Sequence, residues 1–171
     1  SAEGRSTASQ HWLNRQLNDP YVRAAKERGL RSRAAFKLLE MKDKVKLLYP
    51  GARVVDLGAA PGGWTQVAVE AVGPRGQVVA LDILPMDPIR NVDFLQGDFT
   101  TDTVVEQIKA WLGDGKFDLI VSDIAPNLSG IDSADQARSM HFLDLALDTV
   151  RLMLKPGAHF VAKMFQGQGS D

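Results

Sequence analysis

The sequence predicts a doubly wound α/β fold, a mostly parallel sheet covered by helices on both faces. Three observations predict it. Five short apolar runs, RVVDL at 53–57, QVVAL at 77–81, 92–95, FDLIV at 117–121 and HFVAKM at 159–164, alternate with stretches of helical period. Within the runs the apolar residues are consecutive and do not alternate with polar ones, as in strands buried on both faces. A glycine-rich stretch, Gly58 to Trp64, stands between the first strand and the helix after it, where such a sheet receives its ligand.

Along the chain, residues 1–11 are almost all small or polar and read as a mobile tail. From 12 to 48 the pattern is helical and basic. Asp19-Pro20 offers a cap and a first helical position, Gly29 a stop, and Ser32 a second cap opening RAAFKLLEMKDKVKLL. In that helix Ala35, Leu38, Leu39 and Met41 face inward, with Arg33 and Lys37 together on the other side. Pro50-Gly51 is a turn, and residues 49–171 form the α/β domain proper. Its helices are expected near 63–72, near 101–112 with Val104, Ile108, Trp111 and Leu112 on one side, and near 134–154 with Leu143, Leu147, Val150 and Leu154 in line. Gly73-Pro74-Arg75-Gly76 and Lys155-Pro156-Gly157 are helix stops.

Composition narrows the function classes. At 171 residues, 44% hydrophobic and 24% charged, the chain suffices for one core that needs neither metal nor disulfide to fold. It has no Cys, which excludes thiolate metal sites, disulfide frameworks and thiol nucleophiles. No apolar run approaches the ~18 residues of a membrane span, so no membrane role is expected. His11, His141 and His159 lie too far apart to suggest a metal cluster. The net charge of −1 conceals an asymmetry: residues 1–46 carry 11 Lys or Arg against 5 Asp or Glu, net +6, and the remainder is net −7. A basic arm on an acidic body suits an edge that meets phosphates. The bland alternative is a solvated helical surface.

Strand ends define the candidate pocket. The loop Gly58 to Trp64 lets a ligand approach the backbone, yet it has neither the G-x-G-x-x-G spacing of dinucleotide sites nor the G-K-[ST] of a phosphate loop. Asp82, after the second strand, can accept both hydroxyls of a ribose. Asp98-Phe99, after the third, offers an acceptor for an exocyclic amine beside a ring that can cover a base. Each alone is an ordinary turn or cap residue; together they describe a pocket for an adenosine that carries no phosphate. Lys163 is unusual in another way: Phe160, Val161, Ala162, Met164 and Phe165 surround it, and a charge in such a run needs a partner.

At this point a resemblance can be stated. Asp56 to Trp64 (DLGAAPGGW), Asp82 to Met86, Gln96 to Phe99, Ser122 to Asn127 and Lys163 to Gly167 resemble, in order, the signature blocks of the FtsJ/RrmJ-type ribosomal RNA 2′-O-methyltransferases, and Leu30 to Leu38 resembles the block before them. The resemblance implies a Rossmann-like methyltransferase fold, S-adenosylmethionine as cofactor, and a ribose 2′-hydroxyl of large-subunit ribosomal RNA, a uridine within the assembled subunit, as acceptor. It implies that Gly58, Gly62, Gly63, Trp64, Asp82, Asp98, Phe99 and Asp123 line the cofactor site. It further implies that Lys37, Asp123 and Lys163 are catalytic. A lysine with an ordinary pKa near ~10.4 is a poor base at neutral pH; a second ammonium, a sulfonium and desolvation push that value down, while a carboxylate pulls it up and fixes its direction. Lys163 is therefore expected to deprotonate the 2′-hydroxyl, Asp123 to orient it, and Lys37 to tune the pair and touch RNA together with Arg31 and Arg33. Neutralising Arg31 and Arg33 is expected to weaken RNA binding without altering cofactor affinity.

The family's fourth catalytic position, a glutamate near its C-terminus, and its last strands have no counterpart before Asp171. The expectation is a sheet shortened at that end, with no residue assigned to the fourth role. A monomer in a bacterial cytoplasm is the expected state, with a mitochondrial or plastid matrix as the alternative. Competing functions are a non-catalytic adenosyl-pocket module that holds RNA, a 2′-O-methyltransferase of transfer RNA or mRNA caps, and a nicotinamide oxidoreductase, the last disfavoured by its missing glycine.

Overall fold

The computed structural model describes residues 19–97, 101–123 and 133–162. The elements are α1 (Pro20–Glu27), α2 (Ala35–Val45), β1 (Arg53–Leu57), α3 (Gly63–Val72), β2 (Gln77–Asp82), β3 (Val92–Gln96), α4 (Asp102–Leu112), β4 (Phe117–Ser122), α5 (Ser133–Val150), a 3-10 turn (Arg151–Met153) and β5 (Leu154–Ala162). The five strands form one sheet in the order β3-β2-β1-β4-β5, every neighbouring pair parallel. Strand order reverses between β1 and β4, so the crevice beyond their carboxyl ends is the natural ligand position.

Two cores cover the sheet. On one face Val55, Leu57, Val79, Leu81 and Ile120 pack with Ile108 and Leu112 of α4 and with Phe142, Ala146 and Val150 of α5. On the other, Val54, Val78, Leu119, Val121 and Val161 pack with Trp64, Val67 and Val72 of α3 and with Ala35 and Leu38 of α2. The N-terminal segment thus supplies one wall of the second core. Successive residues of β1 reach opposite faces, Val54 one core and Val55 the other, which is why its sequence is apolar without alternation.

The first four strands fall where the sequence places them, to within a residue. Three expectations need correction. Ser32 does not cap α2: the helix begins at Ala35 with Ala34 as its N-cap and no side-chain bond there. The Ser32 hydroxyl lies instead against α3, where a Cβ on Gly63 would come within 2.1 Å of it. The last long helix ends at Val150 and tightens into the 3-10 turn before Leu154. Its most buried stripe is Phe142, Ala146 and Val150, with Leu143 and Leu147 only partly buried beside it; small Ala146 is fully buried, and a Leu stripe is bulkier there. Finally, β5 starts at Leu154, and so includes Pro156-Gly157. Lys155 Nζ donates to Asp118 Oδ1 at 2.7 Å, and the register shifts between Phe117 and Leu119, which pair with Leu154 and His159. Pro156 and Gly157, the latter at φ +80°, sit in this irregularity, on an outer strand of the five where a missing N–H is tolerated. Asp19 caps α1 as expected, accepting from Tyr21 N at 2.7 Å, with Pro20 first in the helix. No described helix is long and apolar enough to cross a membrane.

Candidate functional site

At the carboxyl edge of β2, β1 and β4 stand Asp82, Asp56 and Asp123, all buried. Asp82 Oδ2 accepts from Ala60 N at 2.8 Å and Oδ1 from Leu84 N at 3.0 Å, so the carboxylate joins the glycine loop to the segment after β2. A carboxylate has about four lone-pair sites, and these two bonds leave acceptor capacity on both oxygens. Burial pushes its pKa up, against the backbone amides of Leu84, Ala60 and Ile83, which favour the charged form.

Asp56 was not among the residues expected to line the site. It is fully buried, and Thr65 Oγ1 of α3 donates to its Oδ2 at 2.7 Å. Its Oδ1 has no partner among the described residues. Desolvation raises its pKa to about 8, Thr65 opposes the rise, and the nearby charges of Asp123 and Asp82 add to it. The signal was present in the sequence: a carboxylate flanked by Val54, Val55 and Leu57 needs a partner for the same reason that Lys163 does. Asp123 and Asp82 thus lie close enough to Asp56 for their charges to disfavour its ionised form.

The glycine loop is built for close approach. Gly58 N and Ala59 N both donate to Leu81 O, at 2.8 and 3.1 Å. Gly62 has φ +115°, a conformation open to glycine, and a Cβ there would lie 2.9 Å from Ile89 Cδ1, 3.1 Å from Met86 Sδ and 3.2 Å from Arg31 Cδ. Gly62 also serves as the N-cap of α3 with no side-chain bond, and the first amides of a helix have no partner within it. They present a partly positive N-terminus near the carboxylates. Ser122 Oγ donates to Leu57 O at 2.9 Å and ties β4 to β1 at the reversal point, beside Asp123.

The structure places the remaining expected residues unevenly. The Trp64 indole is 2% exposed, packed in the second core, with Nε1 donating to Ala34 O at 2.8 Å; what Trp64 can offer a ligand is its backbone at the start of α3. Lys37 lies on the exposed side of α2, 3.9 Å from Glu40. Arg33 is exposed, ion-paired with Asp19, and 5.1 Å over the Tyr21 ring. Arg31 turns toward the glycine loop: its Nη1 donates to Pro61 O at 3.1 Å and to Asp87 O at 2.5 Å, and its Nη2 to Pro88 O at 2.9 Å. Asp98, Phe99 and Lys163 lie outside the described residues.

Residues 30–171 match the family model of the FtsJ-like methyltransferases. The chain belongs to that family. It is 56% identical over 167 residues to the ribosomal RNA large subunit methyltransferase E of Stutzerimonas stutzeri and 54% identical to that of Marinobacter nauticus, covering in each case 98% of this chain and 81% of the relative. Among solved structures, a ribosomal RNA methyltransferase from Plasmodium falciparum superposes with a TM-score of 0.65 at 32% identity, over 81% of this chain and 80% of that one. The chain is accordingly a methyltransferase of Rossmann-like fold that takes S-adenosylmethionine as methyl donor. The residues present fit that cofactor. Asp82, with acceptor capacity left on both carboxylate oxygens beside the glycine loop, suits a ligand that offers ribose hydroxyls.

Proposed function

We propose that this chain methylates a ribose 2′-oxygen of large-subunit ribosomal RNA, with Asp123 and Lys163 managing the acceptor and the β1–β2–β4 edge holding the cofactor. The observation that carries the reading is the convergence of Asp56, Asp82 and Asp123 beside a glycine-rich loop, in a chain of this family. Bound S-adenosylmethionine supplies an already activated methyl group, so the protein's task lies with the acceptor. Asp82 accepts from the ribose hydroxyls of the cofactor. Gly58, Gly62 and Gly63 let it approach the backbone, and Asp98 and Phe99 take the adenine. Asp123, at the end of β4, orients the Lys163 side chain, which acts as the neutral amine, and borders the cofactor. Lys163 takes the proton of the 2′-hydroxyl as oxygen becomes the nucleophile, a contribution of about 10²–10⁴ in rate for a positioned base. Lys37 and Arg33, both exposed on the basic N-terminal segment, meet RNA phosphates. The substrate is a uridine in the assembled subunit, and the protein acts as a monomer in a bacterial cytoplasm.

The test is transfer of a labelled methyl group from S-adenosylmethionine to undermethylated large subunits, followed by alkaline hydrolysis of the RNA. A methylated 2′-oxygen cannot attack its neighbouring phosphate, so the label is expected in an alkali-resistant dinucleotide. Label in mononucleotides would mean base methylation and the wrong chemistry for Lys163. In the same assay Lys163→Ala is expected to lower turnover at saturating RNA by about 10²-fold or more; near-normal turnover would remove Lys163 from the mechanism.

A further inference from the structure

We propose that Arg31 is a positioning residue for the cofactor pocket and that, through it, ribosomal RNA on the basic segment and S-adenosylmethionine bind cooperatively. The proposal rests on the cofactor pocket described under the proposed function. A basic residue in a basic arm is expected to reach for phosphate, as the exposed Arg33 and Lys37 can do by exchanging their carboxylate partners, Asp19 and Glu40. Arg31 differs because its guanidinium already serves three main-chain carbonyls on two separate loops. One is Pro61, in the glycine loop; the others are Asp87 and Pro88, in the segment between β2 and β3. Both loops border Asp82, whose carboxylate bonds Ala60 in the first and Leu84 in the second. Arg31 therefore bridges the two lips of the pocket from the outside, while Asp82 bridges them from within.

The bridge is fixed at its base as well. Arg31 N donates to Gln66 Oε1 at 2.8 Å, and Gln66 Nε2 donates to Gly29 O at 3.0 Å, which holds the turn between α1 and α2 onto α3. The Arg31 stem passes over Gly62, 3.2 Å from where a Cβ would stand. A planar fork of five donors suits this task, and a lysine ammonium, a single point charge, cannot span the same three carbonyls. The bonds to the carbonyls occupy three of the five donors. Two remain, so a phosphate can be met by the same group that holds the pocket closed. RNA that orders residues 30–37 then favours the loop arrangement that binds cofactor, and by linkage the cofactor favours RNA by the same factor.

The experiment measures the dissociation constant of S-adenosylhomocysteine by calorimetry, with and without an rRNA fragment containing the methylated region. It compares wild type, Arg31→Ala, Arg31→Lys, Arg33→Ala and Asp82→Ala. Arg31→Ala is expected to weaken S-adenosylhomocysteine about tenfold, as loss of a charge-assisted bond does, with little recovery in Arg31→Lys. In turnover its KM for S-adenosylmethionine should rise while kcat at saturation is retained. Arg33→Ala should leave that affinity within about twofold and weaken RNA binding, its salt slope falling by about 1. In wild type, RNA should tighten S-adenosylhomocysteine by about fivefold, within the usual range of couplings, and in Arg31→Ala the factor should fall to one. If Arg31→Ala does not fold, Arg31→Lys carries the same comparison. Unchanged S-adenosylhomocysteine affinity in the Arg31 variants overturns the inference. If Asp82→Ala loses affinity in that case, the pocket reading stands and the clamp alone fails; if Asp82→Ala also keeps it, both fail.

Discussion

The two faces of the sheet bury similar sets of aliphatic side chains, yet they do different work. On the face covered by α4 and α5, Ile108, Phe142 and Val150 pack against strands that follow or precede them in a regular α/β succession. On the face covered by α2 and α3, the helix that begins at the glycine loop shares its core with a helix from the basic N-terminal segment, Trp64 and Val67 against Ala35 and Leu38. One face stabilises the fold. The other joins the element that positions the cofactor loop to the element that carries Arg33 and Lys37, so its packing affects function as well as stability.

The sharpest way to break this comparison is a pair of truncations. Trp64→Ala should cost about 3–5 kcal/mol and Ile108→Ala about 2–5 kcal/mol in urea unfolding. Only Trp64→Ala should also weaken S-adenosylhomocysteine binding by the folded fraction, because the indole holds Ala34 to the start of α3. Equal loss of affinity in both variants would erase the distinction between the faces.

The buried carboxylate at the end of β1 offers a second, pH-dependent handle. The Asp56 pKa is raised to about 8, from near ~3.9 in an unfolded chain. Between those values the native state holds a proton that the unfolded state has lost, so stability falls as pH rises from ~4 to about 8 and levels off above, with a slope approaching ~1.4 kcal/mol per pH unit for one group. Asp56→Asn should remove that part of the slope. Unfolding titrations of the two proteins at pH 5 and pH 7.5 check it, and identical slopes would mean that Asp56 is ionised in the native protein. The smallest effect lies at the outer end of the basic segment. Asp19→Ala removes the α1 cap and the partner of Arg33, at a cost of about 1 kcal/mol. Its RNA affinity should rise slightly as Arg33 loses its carboxylate, which a filter-binding titration can read.

Much of this molecule was legible in its sequence, for a physical reason: a strand buried on both faces needs consecutive apolar residues, and a turn that exceeds L-residue geometry needs glycine. RVVDL and the helix from Gly63 to Val72 follow from those rules, and so does the expectation that Asp82 closes a strand at a ligand crevice. Pairing preferences are less local. Ser32 had the chemistry of a cap and became a contact for Gly63 because α2 docks on α3; Lys155-Pro156-Gly157 follows the helix end as a stop, yet it lies inside β5, which the sequence placed from 159, because Leu154 already pairs with Phe117 of β4.

Residue types, their spacing and their order determined by themselves the fold class, the family, the glycines of the pocket and two of its three carboxylates, Asp82 and Asp123, because hydrophobic period and backbone permissiveness are properties of short stretches. What only the tertiary structure decided is which basic residue faces which partner. Arg31 and Arg33 are two positions apart and chemically identical, and the sequence treats them alike; the docking of the α1–α2 turn beside Gly62 gives one of them three carbonyls from distant loops and leaves the other on the surface. A guanidinium's role is set by the acceptors within its reach, and those acceptors are brought there by chain segments 30 to 57 residues away.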